Sequence, residues 1–118
     1  MMKNTVPLNK NHLFRQLYTK GKTLQSPLLV VAYRKTKSGR IRMGITASKK
    51  IGNAVARNRA RRVIKEAYRL LEDQLIPGWD LVFIARSKTT RVKMQAVQRE
   101  MHRQLIHAGM IPTNETVS

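Results

Sequence analysis

The sequence predicts an α+β fold, a single sandwich in which three helices pack on a mostly antiparallel sheet of about four strands, in the order α-β-β-α-β-α. Three observations predict it. Apolar residues recur at helical spacing in three segments, alternate with other residues in one, and run almost unbroken in two more. A chain of 118 residues can form one modest core. We therefore expect one domain over residues 1–118, with an ordered core of about 8–109 between mobile tails.

The first helix and two strands are predicted between residues 11 and 48. Apolar residues at positions 13, 14, 17 and 18 predict a helix over 11–19, and Gly21 follows as a stop signal. After Pro27, the segment LLVVAYRK is rich in strand-forming residues. In RIRMGITAS, Ile and Met alternate with Arg and Gly, as in a half-buried strand. A short basic turn joins the two strands, so we expect them to pair as an antiparallel hairpin.

A long basic helix is predicted over residues 53–73. On a helical wheel its apolar face, which belongs in the core, contains Ala60, Val63, Ile64, Ala67, Leu70 and Leu71. The opposite face carries Asn58, Arg61, Arg62, Lys65 and Arg69, with Arg57 and Arg59 at its flanks.

The last two elements follow a break at Pro77 and Gly78. The apolar segment LVFIA, residues 81–85, is typical of a central strand covered on both faces. With the strand at 41–46 and the basic helix it forms a βαβ unit. A final helix is expected to begin near Thr89 or Thr90, to carry apolar residues at 94, 97, 101, 105 and 108, and to end at Gly109. The remaining MIPTNETVS is expected to be mobile.

Positive charge dominates the composition. The formal net charge is +18, from 24 Lys and Arg against 6 Asp and Glu, and no acid precedes Glu66. Residues 49–69 alone contain eight Lys and Arg with Glu66 as their one acid. Like charges on neighbouring helical turns repel, so a face without internal counter-charge implies an external polyanion.

Several classes of protein are disfavoured. The chain has no cysteine for disulfides or thiolate metal sites, and His12, His102 and His107 show no metal-ligand spacing. The apolar runs are too short to span a membrane, and the N-terminal MMKNTVPLNK lacks the apolar core of a signal peptide. We therefore expect a soluble cytoplasmic protein with no membrane association and no metal site of its own.

Nucleic acid is the favoured polyanion. Five of the eight cations in residues 49–69 are Arg, whose planar fork suits bidentate contact with phosphate. The composition leaves DNA and RNA open, although a strand before the basic helix disfavours a helix-turn-helix DNA reader. A membrane-surface helix ranks third, because it needs large apolar side chains where this helix has alanines.

The few aromatic residues have two possible roles. Phe14 and Tyr18 are four residues apart on the first helix, and Tyr33 lies on the first strand. They could pack in the core, or they could stack on unpaired bases beside a basic channel. No set of nucleophile, base and oxyanion donors is recognisable, so no catalytic side chain is expected.

The segment SKKIGNAVARNRARRVIKEAYR closely resembles the signature of the bacterial ribonuclease P protein subunit. Its hallmark is an RNR tripeptide, here Arg57, Asn58 and Arg59, after a Lys-Lys-x-Gly-x-Ala loop. NKNHLFRQLYTKG resembles the first helix of that family, RMGITASKK its second-strand segment and WDLVFIAR the strand after the basic helix. The resemblance covers roughly residues 8–108 in the order and spacing of the family.

The resemblance implies a subunit that binds a large catalytic RNA. That RNA, with Mg²⁺ bound mainly by the RNA, cleaves the 5′ leader from precursor transfer RNA, and no further protein partner is required. The RNA contacts implied for this chain are Lys49, Lys50, Asn53, Arg57, Asn58, Arg59, Arg62 and Lys65, and the outward face of the helix adds Arg61 and Arg69. The leader is expected in a cleft with Phe14, Tyr18 and Lys65.

Two further expectations concern the first strand and the βαβ unit. Many family members have an aromatic residue of the cleft on the first strand, and ungapped alignment from Gly21 places it at Ala32. The aromatic residue nearest to that position is Tyr33, one residue later, and we carry the cleft role over to it. Because strand side chains alternate, Ala32 and Tyr33 cannot both face the cleft. The family also implies a left-handed crossover, against the usual right-handed rule. The alternative function is a structural RNA-binding protein of the ribosome.

Overall fold

The computed structural model describes residues 5–8 and 11–112, with the backbone alone for residues 11–13. Its strands are β1 Thr5–Pro7, β2 Lys22–Gln25, β3 Leu29–Lys35, β4 Ile41–Thr46 and β5 Trp79–Ala85. Its helices are α1 Asn11–Lys20, α2 Ala54–Leu71 and α3 Met94–Ala108, with short 3-10 turns at Lys49–Ile51, Glu72–Gln74 and Ser87–Thr90. No helix in these described ranges is long and apolar enough to cross a membrane.

The strands form one mixed sheet in the order β1-β4-β5-β3-β2. The pairs β1–β4 and β4–β5 are parallel, and β2–β3 and β3–β5 are antiparallel. The α+β class and the three helices are confirmed, but the sheet has five strands and is antiparallel in only half of its pairings. The unpredicted strands are edge strands of three and four residues, too short to show an alternation pattern.

The predicted hairpin between the strands now numbered β3 and β4 is wrong, because β5 lies between them. Leu81, Val82 and Phe83 of β5 are each 0% exposed, so this strand occupies the most protected place in the sheet. The β3–β4 turn crosses the start of β5, where the Thr36 amide donates to the Gly78 carbonyl at 2.8 Å. The unit β4-α2-β5 is the predicted parallel crossover; its left-handed sense stays a prediction.

Alternation along the strands separates two apolar clusters. The larger lies under α2 and α3 and includes Val31, Tyr68, Phe83, Met101 and Leu105. The smaller lies under α1 and consists of Leu8, Leu17, Ala32 and Val82, with Phe14 and Ile84 packed against it. Odd-numbered residues of β3 and β5 thus face α2 and α3, and even-numbered residues face α1.

The basic helix begins and ends close to its predicted limits. Of its predicted core face, Ala60, Ile64, Ala67 and Leu71 are buried and Val63 is partly buried. Leu70 is 45% exposed, which contradicts its predicted place in the core. Tyr68, which was not assigned to the core, is fully buried and packs edge-on against Phe83. Its hydroxyl lies 2.7 Å from Thr5 Oγ1, so a polar atom is accommodated there.

The final helix begins at Met94, later than the predicted start near Thr89 or Thr90. The buried Thr89 hydroxyl donates to the Leu28 carbonyl at 2.8 Å and accepts from the Arg86 amide, which fixes a 3-10 turn to the start of β3. Both predicted tails are shorter than expected, because β1 precedes residue 8 and Met110 and Ile111 are buried. The rest of the predicted tails, residues 1–4 and 113–118, lies outside the described residues.

Candidate nucleic-acid interface

The N-terminal end of α2 is shaped by local polar contacts. Asn53 caps the helix, its side-chain oxygen accepting from the Ala56 amide at 2.9 Å. Arg57, which is partly buried, donates to the Gly52 carbonyl at 2.8 Å. Two of the predicted RNA-binding residues therefore also organise the loop. These contacts hold the Lys49–Ile51 turn against the start of the helix, with the side chains of Lys49 and Lys50 exposed.

The outward face of α2 is exposed as predicted, but its cations are not equivalent. Arg69 is bound through two hydrogen bonds to Glu66, at 2.5 and 3.2 Å. The hydrogen bond and positive charge of Arg69 lower the pKa of Glu66. Arg61 donates to the Asn58 side-chain oxygen at 3.0 Å, which fixes the direction of its guanidinium.

The remaining cations have no acidic partner within residues 5–8 and 11–112. They are Lys49, Lys50, Arg59, Arg62 and Lys65, all exposed. Unpaired, solvated cations on one face of α2 and on the turn before it suit the phosphates of a nucleic acid.

A groove of about 400 Å³ joins the basic helix to α1. It is lined by Pro7, Leu8, Phe14, Met43, Gly44, Ile45 and Lys65. The groove lies at the β4 edge just beyond the end of the β1–β4 pairing, where Pro7 is opposite Met43. Phe14 and Lys65, which are 51 residues apart in the chain, thus line one groove, and that this groove is the leader cleft stays a prediction.

Gly44 makes room for the aromatic ring in this groove. A Cβ atom at Gly44 would lie 2.7 Å from Cε1 of Phe14 and 2.3 Å from the Leu8 carbonyl oxygen. Only a glycine allows the ring and the chain to approach the sheet so closely. The sequence shows this glycine inside a strand pattern, which is a signal for close approach.

A second cavity of about 410 Å³ lies on the α1 face of the sheet, beyond Ile84. Its lining is Val30, Ser48, Lys50, Ile51, Ile84, Ala85, Arg86 and Ser87. Lys50 was predicted as an RNA contact, whereas the exposed Arg86 was missed. Its position in the sequence could have indicated this place. Arg86 directly follows β5, and because β5 runs parallel to β4, it lies at the same end of the sheet as the Lys49–Ile51 turn that follows β4.

The two remaining cleft aromatics have different environments. Tyr18, one helical turn after Phe14, is 48% exposed, and the partial burial of its ring raises its pKa. Tyr33 is only 7% exposed and packs against Trp79, with ring centroids 6.0 Å apart, in the cluster under α2 and α3. The predicted place of Tyr33 in the cleft is therefore wrong, because strand alternation turns it to the opposite face. Ala32 faces α1 instead.

The side chains of this surface suit phosphate better than metal ions. Within the described residues no group of three or more His, Cys, Asp or Glu comes together to hold a metal ion. The donors at the two cavities and on α2 are ammonium, guanidinium and amide groups, which bind anionic oxygens. A polyanion is the ligand class that this surface can bind.

Comparison with known proteins finds relatives that all have the same description. The family model described as Ribonuclease P matches residues 2–109. The ribonuclease P protein component of Clostridioides difficile is 49% identical over 83 residues, 70% of this chain and 73% of that protein. That of a Thermoanaerobacter species is 31% identical over 98% of this chain and 99% of its own.

Solved structures agree. The RNase P protein of Staphylococcus aureus superposes with a TM-score of 0.79 at 29% identity, covering 89% of this chain and 96% of the other. The RNase P protein of Thermotoga maritima gives a TM-score of 0.72 at 29% identity, covering 87% and 96%.

Proposed function

The chain belongs to the ribonuclease P protein family, as a subunit in the maturation of transfer RNA 5′ ends, and we propose that its basic helix binds the RNA subunit while the groove beside it receives the precursor leader. The observation that carries this division is the shared groove of Phe14 and Lys65. An aromatic ring and a cation at one site can stack on a base and neutralise the adjoining phosphate. The leader would pass between α1 and α2.

In this proposal the RNA subunit performs the cleavage with Mg²⁺ bound mainly by RNA, and the protein supplies binding and orientation. The described residues fit that role, because their exposed donors are cations and amides rather than clustered carboxylates. No second protein is required, and the work is done in the cytoplasm. The family match and the names of the relatives do not favour the alternative, a structural protein of the ribosome.

Reconstitution tests the proposal. The full chain, added to its RNA subunit at low magnesium, should raise the rate of precursor cleavage, and affinity for RNA should be strongly salt-dependent. If roughly 6–10 phosphates are contacted, affinity should fall by about 10³–10⁵ between 50 and 200 mM monovalent salt. No stimulation of cleavage, or an affinity indifferent to salt, would contradict it.

Paired variants separate binding from folding. Arg59→Ala and Arg62→Ala should leave the free energy of unfolding within about ±0.5 kcal/mol, because both side chains are exposed, and should weaken assembly with the RNA subunit. Ile64→Ala, on the buried face of the same helix, should destabilise the protein by about 2–5 kcal/mol. Arg99→Ala, an exposed charge on α3, is the control for loss of charge alone. Unfolding of the two arginine variants would show that the faces are assigned wrongly.

A further inference from the structure

Three charged residues form a row across the sheet on the face that α1 covers. Arg42, Asp80 and Arg34 are direct neighbours on β4, β5 and β3. They lie two residues from Gly44, Val82 and Ala32 on the same strands, so they face the same side as the groove. The row is at the end of the sheet where β5 begins, opposite the end that leads to the Lys49–Ile51 turn.

The carboxylate of this row holds one arginine firmly. Asp80 is 1% exposed and accepts from Arg42 at both oxygens, Nε to Oδ1 at 2.8 Å and a terminal nitrogen to Oδ2 at 2.6 Å. Such a fork is the strongest geometry for this pair. The Arg42 side chain remains 37% exposed. Its guanidinium is therefore fixed in direction while part of it faces solvent.

Arg34 adds a second positive charge beside a carboxylate that Arg42 already neutralises. Arg34 approaches Asp80 Oδ2 at 3.6 Å, is 31% exposed and makes no hydrogen bond from its side chain within the described residues. Two guanidiniums against one carboxylate leave the row with one net positive charge. A ligand arriving from solvent meets the arginines first, because the carboxylate is buried beneath them.

The surroundings of the row carry further positive charge. Residues 20–42 contain seven Lys and Arg and no Asp or Glu. Lys35, Lys37 and Arg40, on or beside the turn that follows β3, are exposed. Asp80 is the one acid in the described contacts that pairs with the arginines of the row; Glu72 accepts from Thr5 at the same end of the sheet but follows α2, on the other face. An anion is the only class of ligand that such a potential attracts.

We propose that Arg34 and Arg42, positioned by Asp80, bind a phosphate of RNA and make this end of the sheet a second RNA contact, separate from the basic helix. The proposal rests on the proposed function only for the identity of the partner as RNA. The phosphate belongs either to the leader-bearing precursor or to the RNA subunit. A planar guanidinium with free donors beside a second, fixed one matches two oxygens of a phosphodiester.

The test replaces Arg34 with Gln in the full chain. Affinity is measured over a series of salt concentrations for the RNA subunit, for the holoenzyme with precursor, and for the holoenzyme with mature transfer RNA. Loss of one phosphate contact should weaken binding about three- to tenfold and reduce the slope of log affinity against log salt by about one. Arg99→Gln, which removes the same charge from α3 on the other face, should change neither.

The three affinity measurements identify which RNA supplies the phosphate. A loss already present with the RNA subunit alone assigns the phosphate to that RNA, and a loss confined to the leader-bearing precursor assigns it to the leader. Arg34→Lys should restore part of the affinity. An Arg34→Gln affinity equal to that of Arg99→Gln, or a loss that follows a lowered Tm without a change in salt slope, overturns the proposal. Arg62→Ala in parallel shows whether the proposed function has failed as well.

Discussion

The two faces of the sheet are covered unequally. On one, α2 and α3 bury Tyr68, Phe83, Met101 and Leu105, each 0% exposed. On the other, the ten residues of α1 cover a small apolar cluster and leave Phe14 and Ile84 only partly buried. Two cavities, one lined by Lys65 and the other by Lys50, open beside that cluster.

This difference separates stability from binding in one small domain. Two helices are enough to exclude water from one face of a five-stranded sheet, and most of the favourable burial comes from there. The single short helix α1 leaves part of the other face accessible to solvent. There, apolar and cationic side chains can contact a ligand. Changes on the first face should therefore alter folding, and changes on the second should alter recognition.

Phe83→Ala should have the largest effect. The ring is fully buried and meets Tyr68 edge-on at 5.8 Å, so its removal leaves a cavity, and the free energy of unfolding should fall by about 3–5 kcal/mol. Urea titration measures it. Ile84→Ala, one residue later on the opposite face, is the matched control and should lose clearly less stability. Equal losses would show that the faces contribute alike.

Gly44→Ala should disturb the groove from its floor. The added Cβ meets Phe14 and the Leu8 carbonyl at distances that real contacts do not reach, so the ring and the chain must move. We expect a loss of about 1–3 kcal/mol in stability together with weaker binding of leader-bearing substrate. Gly39→Ala, where nothing lies within 4 Å of the new Cβ, is the control and should be close to neutral. A neutral Gly44→Ala would mean that Phe14 is not seated on this glycine.

Tyr18→Ala should affect recognition without much effect on folding. The ring is about half exposed and shares a helix face with Phe14, so a base stacked on it would contribute about 1–3 kcal/mol. Holoenzyme affinity is compared for precursor and mature transfer RNA at matched salt. A loss for the precursor alone supports stacking on the leader. Equal losses for both would place the role of Tyr18 in assembly, and the cleft assignment would be withdrawn.

Sequence reasoning succeeded where the signal is local. The long amphipathic pattern defined α2, and charge identified its outward face. Pairing depends on distant residues, so the adjacent strands around the 36–40 turn suggested a hairpin that β5 in fact interrupts. A one-residue difference decides the face of a strand, which explains the wrong assignment of Tyr33. Arg86 joins the site only through tertiary structure.

Tyr68→Phe should show the smallest effect. It tests whether polar contacts contribute to stability on the face that α2 and α3 cover. Thr5 Oγ1 donates to Glu72 Oε2 at 2.6 Å, so its only proton is used and the Tyr68 hydroxyl donates to Thr5 at 2.7 Å. Removing one such hydrogen bond should lower stability near neutral pH by about 0.5–1.5 kcal/mol.

The same hydrogen-bonded hydroxyl also affects how the free energy of unfolding changes at alkaline pH. Burial, with the charge of Glu72, raises the pKa of Tyr68, so the folded state retains the proton after the unfolded chain, with a tyrosine pKa near 10, has lost it. The contribution is complete below about pH 10 and declines as the pH rises above that value. Urea titrations at pH 8 and about pH 10.5 should show a smaller alkaline loss of stability for Tyr68→Phe than for the unmodified chain. Identical losses would mean that Tyr68 ionises at the same pH in the folded and the unfolded chain, and that its hydroxyl is not buried against Thr5 of β1.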